Sequence, residues 1–221
     1  YGNRSIVALS GVPGTGKSFC ASIAAQRFAG EPLLVREIQF HQSFSYEEFI
    51  EWLRIDESMG VNVVPGIFLE WNERALEDET HRYVLLIEEL TRANLPAVLG
   101  ELMTYLEFRD RPFVTLYSRK PVQVAKNLTI LATFNPTDRS AIDLDTALIR
   151  RLRIIRCPPS TGQLAEMLAK SGLDGKVVAK IQEIFRTCEA KFQDQYEHLM
   201  PFGHGIFADV TGLSAERNFA R

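Results

Sequence analysis

The chain has 221 residues, enough for one large domain or a domain with a small satellite, and 46% of them are hydrophobic, as in an ordinary globule. No apolar run approaches the roughly 18 residues of a membrane span, and no basic leader precedes an apolar stretch, which argues against membrane insertion and secretion. A formal net charge of −3 exerts no global pull on nucleic acid, so a DNA contact would need a local patch, a ring of copies or a further domain. Cys20, Cys157 and Cys188 are scattered, odd in number and without C-x-x-C spacing, the usage of a reduced, cytoplasmic protein. The start at Tyr1 reads as a fragment of a longer protein or a first ordered residue.

In chain order the first element is a strand, Ile6-Val7-Ala8-Leu9. It runs through Gly11-Val12-Pro13-Gly14-Thr15-Gly16-Lys17-Ser18 into a small-residue helix that breaks at Gly30. Strand, glycine loop and helix form the context in which G-x-x-x-x-G-K-S cradles phosphate. Glycines at 14 and 16 let successive N–H groups curl inward, and the positive end of the helix points at the same place. Lys17 is assigned to the β- and γ-phosphates and Ser18 to a magnesium ion. Gly11, Pro13, Gly14, Thr15, Gly16 and Phe19 complete the nucleotide-binding set.

A second strand is expected over 32–40. Ser45 with Glu48 forms a capping box ahead of a helix whose apolar positions are Phe49, Ile50, Trp52 and Leu53. His41 before it either contacts nucleotide or closes a loop. Residues 56–80 read as an insert: a polar stretch, a Pro65-Gly66 turn, then a helix over 72–80 with Ala75 and Leu76 inward. Tyr83-Val84-Leu85-Leu86-Ile87 is the continuous apolar run of a central parallel strand, and it ends in Glu88 and Glu89. Acids at that edge of a sheet lie beside the phosphate loop. There Glu88 would hold magnesium, through water, and Glu89 would orient or activate the attacking water. The usual first acid is Asp, so Glu88 departs by one methylene.

Residues 91–108 carry Leu95, Val98, Leu99, Leu102, Met103 and Leu106 at helical spacing, a core stripe. A hairpin is expected from 113–117 and 120–124. The next strand, 128–134, delivers Asn135 to the same sheet edge, where an amide could detect the γ-phosphate or hold the attacking water. Arg150 and Arg151 end a helix before a last strand. They either complement the helix dipole or act as arginine fingers across a subunit boundary. After Pro158-Pro159 two helices are expected, from 160 and over 174–195, the longer with Val177, Ile181, Ile184, Phe185 and Phe192 on one face. A glycine-flexed stretch follows, Pro201 to Phe207.

This order of strands and polar residues resembles the AAA+ ATPases, and more closely the McrB family, the nucleotide-driven motor subunits of modification-dependent restriction systems. Phe40-His41-Gln42-Ser43-Phe44-Ser45-Tyr46-Glu47-Glu48-Phe49 is similar to that family's Q-F-H-Q-S-Y-S-Y-E-D-F. Ile87 to Asn94 is similar to I-D-E-I-N-R-A-N, Asn135 to Ser140 to N-T-A-D-R-S, Ala147 to Arg151 to A-L-R-R-R, and Gly203-His204 to the start of G-H-S-F-F. The resemblance implies a three-layer α/β P-loop core with a parallel sheet over 1–158 and an incomplete α-helical lid over 159–221. It implies a hexameric ring with ATP or GTP and Mg2+ at each subunit interface. One subunit would supply Lys17, Ser18, Glu88, Glu89 and Asn135, with His204 from the lid; its neighbour would supply Arg150 or Arg151, together with Arg92 or with Asp138 and Arg139. DNA reading and a partner nuclease would lie outside this chain. Asn135-x-x-Asp138 lacks the lysine of the guanine-reading N-K-x-D, which leans the reading towards ATP. A protein-directed chaperone of the MoxR type and an assembly module with little hydrolysis stand as the alternatives.

Overall fold

The computed structural model describes residues 6–57, 59–138, 146–193 and 200–208. Its central sheet has five strands: β1 (Ile6–Ser10), β2 (Val35–Gln39), and three that take the labels β5 (Tyr83–Glu88), β8 (Leu128–Phe134) and β9 (Leu152–Arg156) once the hairpin strands are counted. Their order is β2-β5-β8-β1-β9, with β5 parallel to both neighbours. A parallel sheet needs cover on both faces, and the burial of β5 from Tyr83 to Ile87 shows that it has it. The expected parallel α/β core is therefore present.

Helix α1 (Lys17–Ala29) follows β1, and its small residues Ala21, Ala25 and Ala29 form the buried stripe. The chain divides into two compact units. The first, residues 6–9, 18–134 and 138–155 among those described, holds a core built from the sheet and its flanking aromatics, Phe40, Phe49, Phe68 and Phe113 among them. The second takes in 10–17, 135–137 and 156–208 among the described residues. Its own apolar cluster joins α7 (Thr161–Ala169) and α8 (Gly175–Gln193) through Leu164, Leu168, Ile181 and Phe185. Ile184, expected on that apolar face, is exposed.

Three local expectations are corrected. The Ser45 capping box forms, with both of its hydrogen bonds, but helix α2 (Tyr46–Phe49) lasts one turn. Trp52 and Leu53 belong instead to strand β3 (Glu51–Ile55), paired antiparallel with β4 (Val61–Pro65). The pairing is locked at its turn, where Asp56 accepts from the Gly60 N–H at 2.8 Å and the Asn62 amide at 2.9 Å. A capping box fixes one turn of helix, and the β-branched Val61, Val63 and Val64 opposite then outweigh the helical spacing. Helix α3 (Ile67–Glu77) starts earlier than expected, and Leu76 is exposed while Ala75 is buried.

The 91–108 stripe is the third case. Its apolar residues Leu95, Val98, Leu99, Leu102 and Leu106 are indeed buried, but the helix is broken into α4 (Leu95–Leu99) and α5 (Leu102–Tyr105). Gly100 sits between them at φ 48°, and a Cβ there would lie 2.8 Å from the Tyr46 ring. The expected small hairpin forms as β6 (Phe113–Val114) and β7 (Pro121–Val122), and the turn α6 (Thr146–Ile149) precedes β9. No helix among the described residues is long and apolar enough to cross a membrane.

Candidate functional site

The acids come from one strand end. In the register of the sheet Ile87 lies opposite Ala132, so Glu88 follows onto Thr133 of the neighbouring strand. The Glu88 carboxylate gathers three elements: Oε2 accepts from Ser18 Oγ of α1 at 2.8 Å and from Thr133 Oγ1 of β8. Oε1 is buried with no hydrogen-bond partner. A buried, unpartnered carboxylate oxygen is costly unless something electropositive meets it. An all-oxygen donor set of this kind fits a hard cation such as Mg2+, so the residues present suit the ion expected there.

Glu89 leaves the strand in the left-handed region, at φ 56°, and starts a short 3-10 turn (Leu90–Arg92). Its N–H reaches Thr133 Oγ1 at 3.4 Å, and its Oε2 lies 3.2 Å from Arg92 Nε. That approach is a charge contact without hydrogen-bond geometry, since Oε2 has no hydrogen-bond partner. Arg92, expected to act on a neighbouring subunit, faces this chain's own acid. Arg151 Nη2 pairs with Glu107 Oε2 at 3.2 Å, whereas Arg150 is exposed. Phe19, on the first turn of α1, is 70% exposed, unusual for so large an apolar ring. His41 closes its loop: its carbonyl accepts the Phe44 N–H and its ring meets Phe44 edge-on.

The glycine loop belongs to the second unit. Gly14 and Gly16 take φ values of 78° and 76°, which only glycine adopts cheaply. Thr15 Oγ1 and Lys17 Nζ both donate to the Val12 carbonyl, at 3.0 and 3.1 Å. Pro13, Gly14 and Gly16 are exposed, while Gly11 is packed so closely that a Cβ would stand 2.4 Å from the Cys157 carbonyl oxygen. Asn135 is buried, and its Oδ1 accepts from the Thr137 N–H at 3.1 Å and hydroxyl at 2.7 Å, which turns the amide nitrogen away from that bond pair. Asp138 is among the described residues; Arg139 and Ser140 lie outside them.

The C-terminal part of this unit reaches the loop's main chain. The Gly203 N–H donates to the Pro13 carbonyl at 2.7 Å and the Gly205 N–H to the Gly14 carbonyl at 2.6 Å. His204 between them is buried, its Nδ1 accepting from the Ser160 N–H at 3.3 Å. Burial holds its pKa below the ordinary value, so the ring is neutral near pH 7. A depressed histidine pKa means that the unfolded chain binds the proton first. The stabilisation is present above about pH 6.5 and drains away below it. Thermal melts should therefore show wild type losing stability relative to His204→Asn, which keeps an acceptor, as the pH falls from 7.5 to 5.5 (both pH values about one unit either side of the unperturbed pKa). A constant difference would exclude the histidine as the titrating group.

Thr133, Gly205 and Ser160 escaped the sequence reading. Thr133 had a usable signal: a hydroxyl at the carboxyl end of a buried strand lies at the edge of the sheet where the acids stand. The other two act through their main-chain N–H groups, which leave no pattern.

A family model described as "AAA domain (dynein-related subfamily)" matches residues 6–152. Among curated proteins, the chain is 36% identical over 162 residues to the Type IV methyl-directed restriction enzyme EcoKMcrB subunit of Escherichia coli, covering 69% of this chain and 35% of that protein. It is 24% identical over 183 residues to the Type II restriction enzyme BsuMI component YdiS of Bacillus subtilis, covering 64% of this chain and 53% of the other. The chain thus spans about a third to a half of these relatives. A solved structure from Cytophaga hutchinsonii, described as a candidate ATPase, overlaps 90% of this chain and 49% of its own at 15% identity and a TM-score of 0.46, too loose to argue from. The glycine loop, the paired acids and the family match converge: the chain belongs to the dynein-related subfamily of AAA domains.

Proposed function

We propose that this chain is the motor module of a ring-forming AAA+ NTPase that hydrolyses ATP or GTP to drive remodelling or translocation on DNA for a restriction nuclease. The observation that carries the hydrolytic part is the corner made by Ser18, Glu88 and Thr133, with one buried carboxylate oxygen of Glu88 unpartnered. Ser18 is followed along α1 by the exposed Phe19 and preceded by Lys17, so metal, phosphate and base contacts leave consecutive positions of the chain. Bound Mg2+ would supply charge neutralisation at the β- and γ-phosphates, held through Ser18 and Glu88. Lys17 would bind the phosphates, Glu89 would accept the proton of the attacking water, and Asn135 would orient that water. The restriction and DNA parts rest on what the two curated relatives are named for.

The exposed Arg150 is the better finger for a neighbouring site, because the Arg151 guanidinium is engaged by Glu107. ATP and GTP turnover measured against protein concentration tests the whole reading: specific activity should rise as copies associate, and stay flat for a monomeric enzyme. Mixing inactive Lys17→Ala and Arg150→Ala proteins in equal amounts should restore roughly a quarter of wild-type turnover, since half the sites keep the lysine and half of those gain an intact neighbour. Mixtures that stay dead at every ratio count against a finger in trans.

One observation favours a second reading, an assembly module with little hydrolysis. Arg92 Nε lies 3.2 Å from Glu89 Oε2, so the carboxylate is engaged in an ion pair within its own chain. In that case Arg92→Ala raises the basal rate.

A further inference from the structure

We propose that Thr133 is a positioning residue that fixes which carboxylate oxygen of Glu88 faces the metal. The proposal rests on the nucleotide reading above.

Strand β8 alternates, and Thr133 shares a face with Thr129 and Leu131. It is 1% exposed, beside the buried Leu131, Ala132 and Phe134. A hydroxyl so placed must find partners, and it finds two from consecutive residues. It donates to Glu88 Oε2 and accepts, at long range, from the Glu89 N–H at 3.4 Å. One oxygen thus ties the carboxylate of the first acid to the main chain of the second.

The extra methylene of Glu88 gives its carboxylate another rotatable bond and more positions than an aspartate has. With Oε2 clamped between Ser18 and Thr133, Oε1 is left as the one unpartnered oxygen of that group. The clamp decides which oxygen meets the metal, and Thr133 supplies the half of it that comes from the sheet. A carboxylate one methylene shorter at 88 would lose its reach to this hydroxyl. Carboxylate length and hydroxyl are therefore coupled.

The test measures metal binding directly, by Mn2+ titration of the full chain loaded with a non-hydrolysable ATP analogue, read by electron paramagnetic resonance. A hydrogen bond to a charged group is worth about ten-fold or more in affinity. Thr133→Val, nearly isosteric, should weaken Mn2+ about ten-fold while metal-free binding of the analogue holds. Thr133→Ser should stay within about two-fold of wild type, because it keeps the hydroxyl. In a Glu88→Asp background the same Thr133→Val change should cost less than about two-fold, the signature of coupling in a double-mutant cycle. Unchanged Mn2+ affinity in Thr133→Val overturns the role, as does an equal loss in the Glu88→Asp background. Wild-type protein that binds no analogue at all overturns the nucleotide reading itself, a distinct result seen before any variant is compared.

Discussion

Glu89→Gln should bind nucleotide and Mg2+ as wild type does and hydrolyse about a thousand-fold more slowly, the loss expected when a general base becomes a neutral amide. The substitution is nearly isosteric, so the turn from strand into the 3-10 segment, at φ 56°, is undisturbed. The main-chain bond from Glu89 to Thr133 survives as well, since it uses the N–H. What changes is charge: Arg92 loses the carboxylate 3.2 Å from its Nε. Pairing Glu89→Gln with Arg92→Ala separates the two effects. If Arg92 restrains the base, Arg92→Ala speeds hydrolysis in the wild-type background and does nothing once Glu89 is an amide. Turnover of Glu89→Gln within about three-fold of wild type would remove Glu89 from the chemistry and return the site to the binding-only alternative.

The same two acids show what sequence reasoning could reach. Tyr83 to Ile87 announced a central strand because every residue is apolar, and the structure buries all five. Glu88 and Glu89 then had to lie at its carboxyl edge. Gly14 and Gly16 were legible for a comparable reason: their positive φ values are demands that a sequence satisfies visibly. The failures came where partners distant in the chain decide. Trp52 and Leu53 kept helical spacing after a genuine capping box, yet the strand opposite them at Val61 to Pro65 took them. The 91–108 stripe named its buried residues correctly and missed the break, because Gly100 is set by the Tyr46 ring, more than fifty residues away in the chain. Thr133 was hidden by its company: a threonine in an apolar strand looks like β-propensity until the register puts Glu88 beside it. Arg150 and Arg151 read as equals in sequence, and only the Glu107 contact tells them apart.

Gly203→Ala should cripple nucleotide binding without touching any residue of the phosphate loop itself. Gly203 has φ −99° and ψ 178°, a conformation open to alanine, so the substitution carries no backbone cost. Space is the obstacle. A Cβ there would stand 2.4 Å from both the carbonyl carbon and oxygen of Gly14, and 2.6 Å from Thr15 Cγ2. The neighbours are main chain and cannot swing aside. The segment cannot easily withdraw either, because it is fastened at both ends: the rings of Phe202 and Phe207 each lie 6.3 Å from that of Phe185 in the helical core. The strain therefore falls on Pro13 and Gly14, whose carbonyls the segment holds at 2.7 and 2.6 Å. Overpacking of this kind costs about 1–3 kcal/mol, or roughly 5- to 150-fold in affinity if the loop's phosphate-binding shape absorbs it. Fluorescent-nucleotide titration should show that loss. Gly175→Ala, where a Cβ meets nothing within 4 Å, should bind as wild type. Gly205→Ala, with a clash of 2.8 Å against the Gly14 oxygen, should fall between them. Equal affinity for all three variants would show that the loop keeps its shape unaided. The graded order would show instead that the residues around His204 set the phosphate loop from outside, through main-chain bonds that tolerate many sequences but require glycine where the two backbones touch.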